Sequence, residues 1–171
     1  KIKKNNQLKY IYSVSNFEFY RFPGPATLHD IDYLKFQNKI VNFFNKFQLN
    51  FTYQSHPSTS IGIKKNPAEK FNLVKTNFEK HLHSNDIFVF DNTLSTTFWK
   101  AIYLKKPIIL LKLFNVDERN PYNDRIKKRC AILSIKDLKY LDHYLENFNI
   151  FDSTEEAIIK SNIEDDFDLI F

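Results

Sequence analysis

A doubly wound α/β domain, a parallel sheet with helices on both faces, is predicted by three observations. Short apolar runs of strand length recur along the chain. Longer stretches with apolar residues at helical spacing separate them, which is the pattern of strands joined by helical crossovers. Two of the runs, Ile87 to Phe90 and Pro107 to Leu111, are apolar at every position, as strands covered on both faces are.

Tyr10-Ile11-Tyr12-Ser13-Val14-Ser15 reads as the first strand, and Asn16 to Thr27, with two prolines and Gly24, as the loop after it. Ile31, Leu34, Ile40, Phe43, Phe44 and Phe47 then recur at helical spacing, with Asp30 and Asp32 near the positive end of the macrodipole. This predicts a helix from about Leu28 to Phe47. Asn50 to Gln54 is the second strand, ended by Ser55-His56-Pro57, where proline cannot continue the ladder. Ser58 to Pro67 reads as a loop and Leu73-Val74 as a short edge strand. Asn77 is a favoured residue type for capping a helix through His83.

Ile87 to Phe90 is the next strand, Ser95 to Leu104 its helix, and Pro107 to Leu111 a further strand after a Lys105-Lys106 turn. Pro121 to Cys130 reads as a basic helix, Ala131 to Ser134 as a last strand, and Asp137 to Asn147 as an amphipathic helix with Leu138, Leu141 and Leu145 in one stripe. The tail, residues 150–171, acidic and interleaved with apolar positions from Glu155 onward, is expected to be helical and packed on the domain. The 171 residues suit a single domain.

Composition narrows the class. A hydrophobic share of 43% beside 26% charged residues is that of a globular domain. Eighteen Phe and two Gly fit the nucleotide bias of an AT-rich genome and carry no chemistry. The net charge of +5 suits an anionic partner, but the lysines are dispersed, so no specific nucleic acid is indicated. Cys130 is the single cysteine, which excludes a disulfide framework and a thiolate zinc site and fits a reducing, cytoplasmic setting. It is expected in the core. His81 and His83, two apart, are not expected to share a metal. The chain has no methionine and opens on Lys1, from which a longer parent chain is expected.

The chemistry concentrates in Asp91-Asn92-Thr93-Leu94-Ser95-Thr96-Thr97, between a strand and a helix. Such a turn points hydroxyls and first-turn N–H groups at an anion. One of these residues suffices to cap the helix. Four hydroxyls in five residues exceed that need, so Asn92, Thr93, Ser95, Thr96 and Thr97 are candidate phosphate contacts. Ligands of open parallel sheets sit outside the carboxyl ends of the strands, where the loop carrying Arg21 and the His56-Pro57 corner also converge. His56 can donate to a phosphate oxygen near neutral pH, or satisfy a strand-end carbonyl. Arg125, among Arg119, Lys127, Lys128 and Arg129, is a candidate clamp for a diphosphate, the simpler reading being a solvated basic face. Neither a glycine-rich phosphate loop nor a nucleophile elbow is present in the sequence.

These motifs carry a resemblance. Ser55-His56-Pro57, then Ser84 to Asn92 with Leu94-Ser95-Thr96-Thr97-Phe98-Trp99-Lys100-Ala101, then Lys106-Pro107-Ile108-Ile109, are similar to the carboxyl-terminal donor-binding domain of GT-B glycosyltransferases. The resemblance is greatest to bacterial surface-polysaccharide (capsule) transferases and more distant to CDP-glycerol polymer transferases and bacterial sialyltransferases. It spans about Tyr10 to Leu145. It implies that His56 contacts the donor phosphate as the catalytic group and that Pro57 shapes its loop. It implies also that Ser95, Thr96 and Thr97 hold the diphosphate of a nucleotide-activated sugar, which is substrate, with no cofactor or metal. A carbohydrate or lipid-linked acceptor would be held by an amino-terminal domain that also supplies the base, with peripheral association with the inner membrane. The position before Ala101, acidic in many GT-B families, is Lys100 here. A non-catalytic or regulatory nucleotide-binding module, and a nucleic-acid-binding protein, are the other function classes weighed.

Overall fold

Five parallel strands form one sheet in the order β2-β1-β3-β4-β5: β1 (Lys9–Ser13), β2 (Asn50–Gln54), β3 (Ile87–Phe90), β4 (Ile108–Leu113) and β5 (Ala131–Ile135). This computed structural model describes residues 8–14, 30–54, 78–83, 86–113 and 122–164. Between the strands lie α1 (Asp30–Lys46), a 3-10 helix (Phe78–His83), α2 (Thr96–Tyr103) and α3 (Asn123–Arg129). After β5 come a 3-10 turn (Leu138–Tyr140), α4 (Leu141–Glu146) and α5 (Ile150–Ser161). The predicted α/β doubly wound class is therefore the observed one. The order also equals the six-stranded doubly wound order 3-2-1-4-5-6 without its outer strand.

Side chains alternate across each strand, and the alternation sorts the core into two layers. Tyr10, Tyr12, Tyr53, Ile87, Val89, Ile109 and Leu111 face α1, α4 and α5, meeting Phe36, Ile40, Phe44, Leu141 and Ile150. Ile11, Phe88, Phe90, Ile108 and Leu110 face the other way, onto Phe78, Leu82, Phe98, Ala101, Ile102 and Ile126. The aromatic excess of the sequence is spent here. Tyr12 meets Phe44 edge-on at 5.9 Å and Tyr53 at 5.7 Å, and Phe90 meets Phe98 edge-on at 5.4 Å. Each fully buried ring stabilises the fold by about 1.5–3 kcal/mol. Cys130 is fully buried among the second layer, as expected.

The absence of glycine from both described helix ends with left-handed backbone is a cost the chain carries. α1 and α2 each finish in a Schellman motif. Leu49 N donates to Phe44 O and Gln48 N to Asn45 O; Lys106 N donates to Ala101 O and Lys105 N to Ile102 O. The left-handed residue of each motif is Gln48 (φ 51°) and Lys105 (φ 52°), positions where glycine is the usual choice.

Several boundaries differ from the sequence reading. β4 continues through Lys112 to Leu113, because one lysine at the open end of a strand leaves its ladder with β5 intact. α3 starts at Asn123 and is shorter than expected. Asp137 to Asn147 is not one helix: Asp137 accepts from Lys139 N and Tyr140 N reaches Asp137 O, which tightens the start into a 3-10 turn. The last helix starts at Ile150, the start expected of the helical tail, where Asn149 caps it by accepting from Phe151 N and Asp152 N, and it ends at Ser161. Its Ile150, Thr154, Ala157 and Ser161 form the buried face.

α3 and α5 cap one another. Arg129, at the end of α3 and 2% exposed, places Nη1 2.7, 3.1 and 3.0 Å from the carbonyl oxygens of Lys160, Ser161 and Ile163, and Nη2 3.4 Å from Ile102 O. Lys160 in turn donates to Lys127 O and Cys130 O at 2.7 and 2.8 Å. Each cation neutralises the negative end of the other helix. Arg129 is thus structural, removed from the solvated basic face.

Candidate functional site

The strand order reverses between β1 and β3. From β1 the chain passes to α1 and outward to β2; from β3 it passes through α2 to β4, on the opposite face of the sheet. The reversal falls at the carboxyl ends of β1 and β3, the position at which doubly wound folds bind ligands. The Asp91 to Thr97 turn lies directly on it.

Asp91, 4% exposed, anchors the turn. Its Oδ2 accepts from Tyr12 OH at 2.9 Å and Tyr33 OH at 2.7 Å, and its Oδ1 accepts from Asn92 Nδ2 at 3.2 Å. Three donors thus converge on this carboxylate and compensate its burial. Burial, and then the charge of Asp91, hold the Tyr12 phenol well above its ordinary pKa. One contact set therefore ties β1, the start of α1 and the end of β3 into a rigid floor.

Above that floor the hydroxyls divide. Asn92 Oδ1 accepts from Leu94 N at 3.1 Å, which closes the turn. Thr93 is buried, 1% exposed. Ser95 is the N-cap of α2: its Oγ accepts from Phe98 N at 3.1 Å and lies 2.9 Å from Thr97 Oγ1. Thr96 is exposed, and Thr97 and Asn92 are half-buried. The cluster thus builds its own turn with Asn92, Thr93 and Ser95. It presents Thr96 and the first N–H groups of α2 outward, with the half-buried Thr97 hydroxyl shared with Ser95.

Of the other sequence-predicted residues, Arg21, His56 and Pro57 lie outside the described residues. Arg125 is exposed on α3, and its guanidinium carbon stands 6.0 Å from the centroid of the Tyr122 ring. A ladder leads from there to the start of α2: Tyr122 to Trp99 at 5.4 Å, and Trp99 to Phe98 at 5.2 Å, both edge-on. Lys100 turns sideways into an ion pair with Glu79 of the 3-10 helix. Tyr12 and Tyr33 are the members of the site that sequence reasoning missed; the partner of Tyr12 is 79 positions away, and no spacing rule links them.

Among the described residues no group of histidine, cysteine or carboxylate side chains could hold a metal ion. No described helix is long and apolar enough to cross a membrane. No protein family, curated protein or solved structure significantly matches this chain.

Proposed function

We propose that the chain is the nucleotide-sugar-binding half of a glycosyltransferase of bacterial surface-polysaccharide synthesis. The observation that carries the binding part is the position of the β3–α2 turn at the β1/β3 reversal, with Thr96 and the start of α2 facing out and the half-buried Thr97 beside them. The sugar-transfer part rests on the resemblance of the His-Pro and Ser/Thr motifs to GT-B donor domains.

In this reading the donor diphosphate lies against the start of α2, where N–H groups and two threonine hydroxyls stabilise the charge that grows on the departing nucleotide phosphate. His56 donates a proton or hydrogen bond to the same phosphate. Arg21 and Arg125 stand as outer charges. The acceptor's base belongs to an amino-terminal domain, so the chain binds donor without turning it over alone. The rigid Asp91, Tyr12 and Tyr33 floor keeps the turn in one geometry, so little ordering cost falls on binding.

Calorimetric titration with cytidine, uridine and guanosine diphosphates tests this. One of them should bind saturably, and Thr96→Ala with Thr97→Ala, and separately His56→Ala, should weaken it by about tenfold or more. Binding of none, or binding indifferent to all three residues, contradicts the reading. Salt-sensitive binding of DNA without nucleotide binding would instead support nucleic-acid recognition.

A further inference from the structure

We propose that the cleft between α3 and the carboxyl ends of β4 and β5 binds a small monocarboxylate with a short hydrocarbon body. The cleft has a volume of about 200 Å³ and is lined by Leu110, Lys112, Ile132 and Ser134 from the sheet and by Asn123, Ile126 and Lys127 from α3. It is separate from the β3–α2 turn and does not depend on the donor-site reading.

Its composition follows from the register. Leu110 pairs with Ile132, and two positions on, toward the carboxyl edge, Lys112 pairs with Ser134. Both strands therefore change from apolar to polar at the same step on the same face. Strands of a parallel sheet are ordinarily apolar on both faces, and the break falls at the edge where such sheets hold ligands. Leu110 and Ile126 are buried and give the inner part of the cleft its apolar surface.

The charge balance selects the head group. Among the described residues no carboxylate lines the cleft. Among the described residues no acidic side chain pairs with Lys112, which is half-buried. Lys127 shares its charge with Asp124 at 3.6 Å. Among the described residues one ammonium thus has no counter-charge, a match for a monoanion rather than a dianion, with the Ser134 hydroxyl beside it as a hydrogen-bond donor. The volume fits a ring or branched chain of about six carbons, since a cavity of about 150 Å³ holds benzene.

The test titrates the full chain with benzoate, benzamide and inorganic phosphate, followed calorimetrically. Benzoate should saturate below about 20 mM, in the range open to a ligand of so few atoms. Benzamide, which keeps the shape and loses the charge, should bind about tenfold more weakly, and so should benzoate to Lys112→Gln. Lys112→Arg should keep the affinity, and Ser134→Leu, which fills the cleft, should abolish it. Equal affinity for benzoate and benzamide, tighter binding of phosphate than of benzoate, unchanged affinity in Lys112→Gln, or no saturation overturns the proposal. Should Lys112→Gln fail to fold, the three ligands on the unaltered chain decide the matter.

Discussion

Tyr12 and Asp91 show how much a single contact fixes. The phenol closes one edge of a buried carboxylate, and hydrogen bonds to charged groups stabilise by about 1.5–3 kcal/mol. Tyr12→Phe should therefore lower unfolding free energy by about 2 kcal/mol in urea denaturation, with Asp91→Asn and Tyr12→Phe non-additive in a double-mutant cycle. At the same scale, burial pushes the Cys130 thiol up to about 12 from an ordinary value near 9.0. A raised folded-state pKa favours the protonated, native form, and that stability is full below pH 9 and lost as pH rises toward 12. Tyr10 and Tyr12, both raised from 10.0, add to the loss in the upper part of that window. Thermal unfolding followed from pH 8 to 12 should show a midpoint that falls from about pH 9 upward, with a smaller fall for Cys130→Ala. A midpoint flat across the range would contradict it.

At the scale of elements, the helix ends carry the measurable energies. Gln48 and Lys105 occupy left-handed positions that disfavour residues with a Cβ, so Gln48→Gly and Lys105→Gly should each raise stability by about 0.5–1 kcal/mol. The mutual caps of α3 and α5 work in the opposite sense. Arg129→Met removes the group that satisfies the carbonyls ending α5 and should cost about 3 kcal/mol in denaturant unfolding, with faster amide exchange at the end of α5. Neither device announces itself in the sequence. A basic run such as Lys127-Lys128-Arg129 reads as a solvated face, and only the packing of a helix 31 positions on turns Arg129 inward. The strands are more legible: β2 and β3 match their expected bounds to the residue, β3 as an apolar run buried on both faces and β2, an edge strand with Asn50 exposed, through the proline that follows it in the sequence. The start of α5 is legible as the start of the helical tail at residue 150, and Asn149 with Asp152, an N-cap with an acidic first turn, is the physical reason.

For the whole molecule, the order of strands matters more than any side chain. Periodicity gives helices and strands but not which strand neighbours which, and the reversal between β1 and β3 is what sets the polar turn at the switch point of the sheet. The turn itself was legible as a cluster of hydroxyls. Its internal division was not, because whether a threonine caps, is buried or faces solvent depends on the angle at which α2 leaves the sheet. Thr93 is buried and Ser95 caps α2 and shares a hydrogen bond with the Thr97 hydroxyl, while Thr96 faces solvent. The direct measurement is a set of amide ¹H–¹⁵N spectra of the full chain with increasing cytidine or uridine diphosphate. The account predicts saturable shifts centred on the N–H groups of Thr96 and Thr97, absent in Thr96→Ala with Thr97→Ala. Shifts elsewhere that leave those two amides unmoved, or none at all, would contradict it.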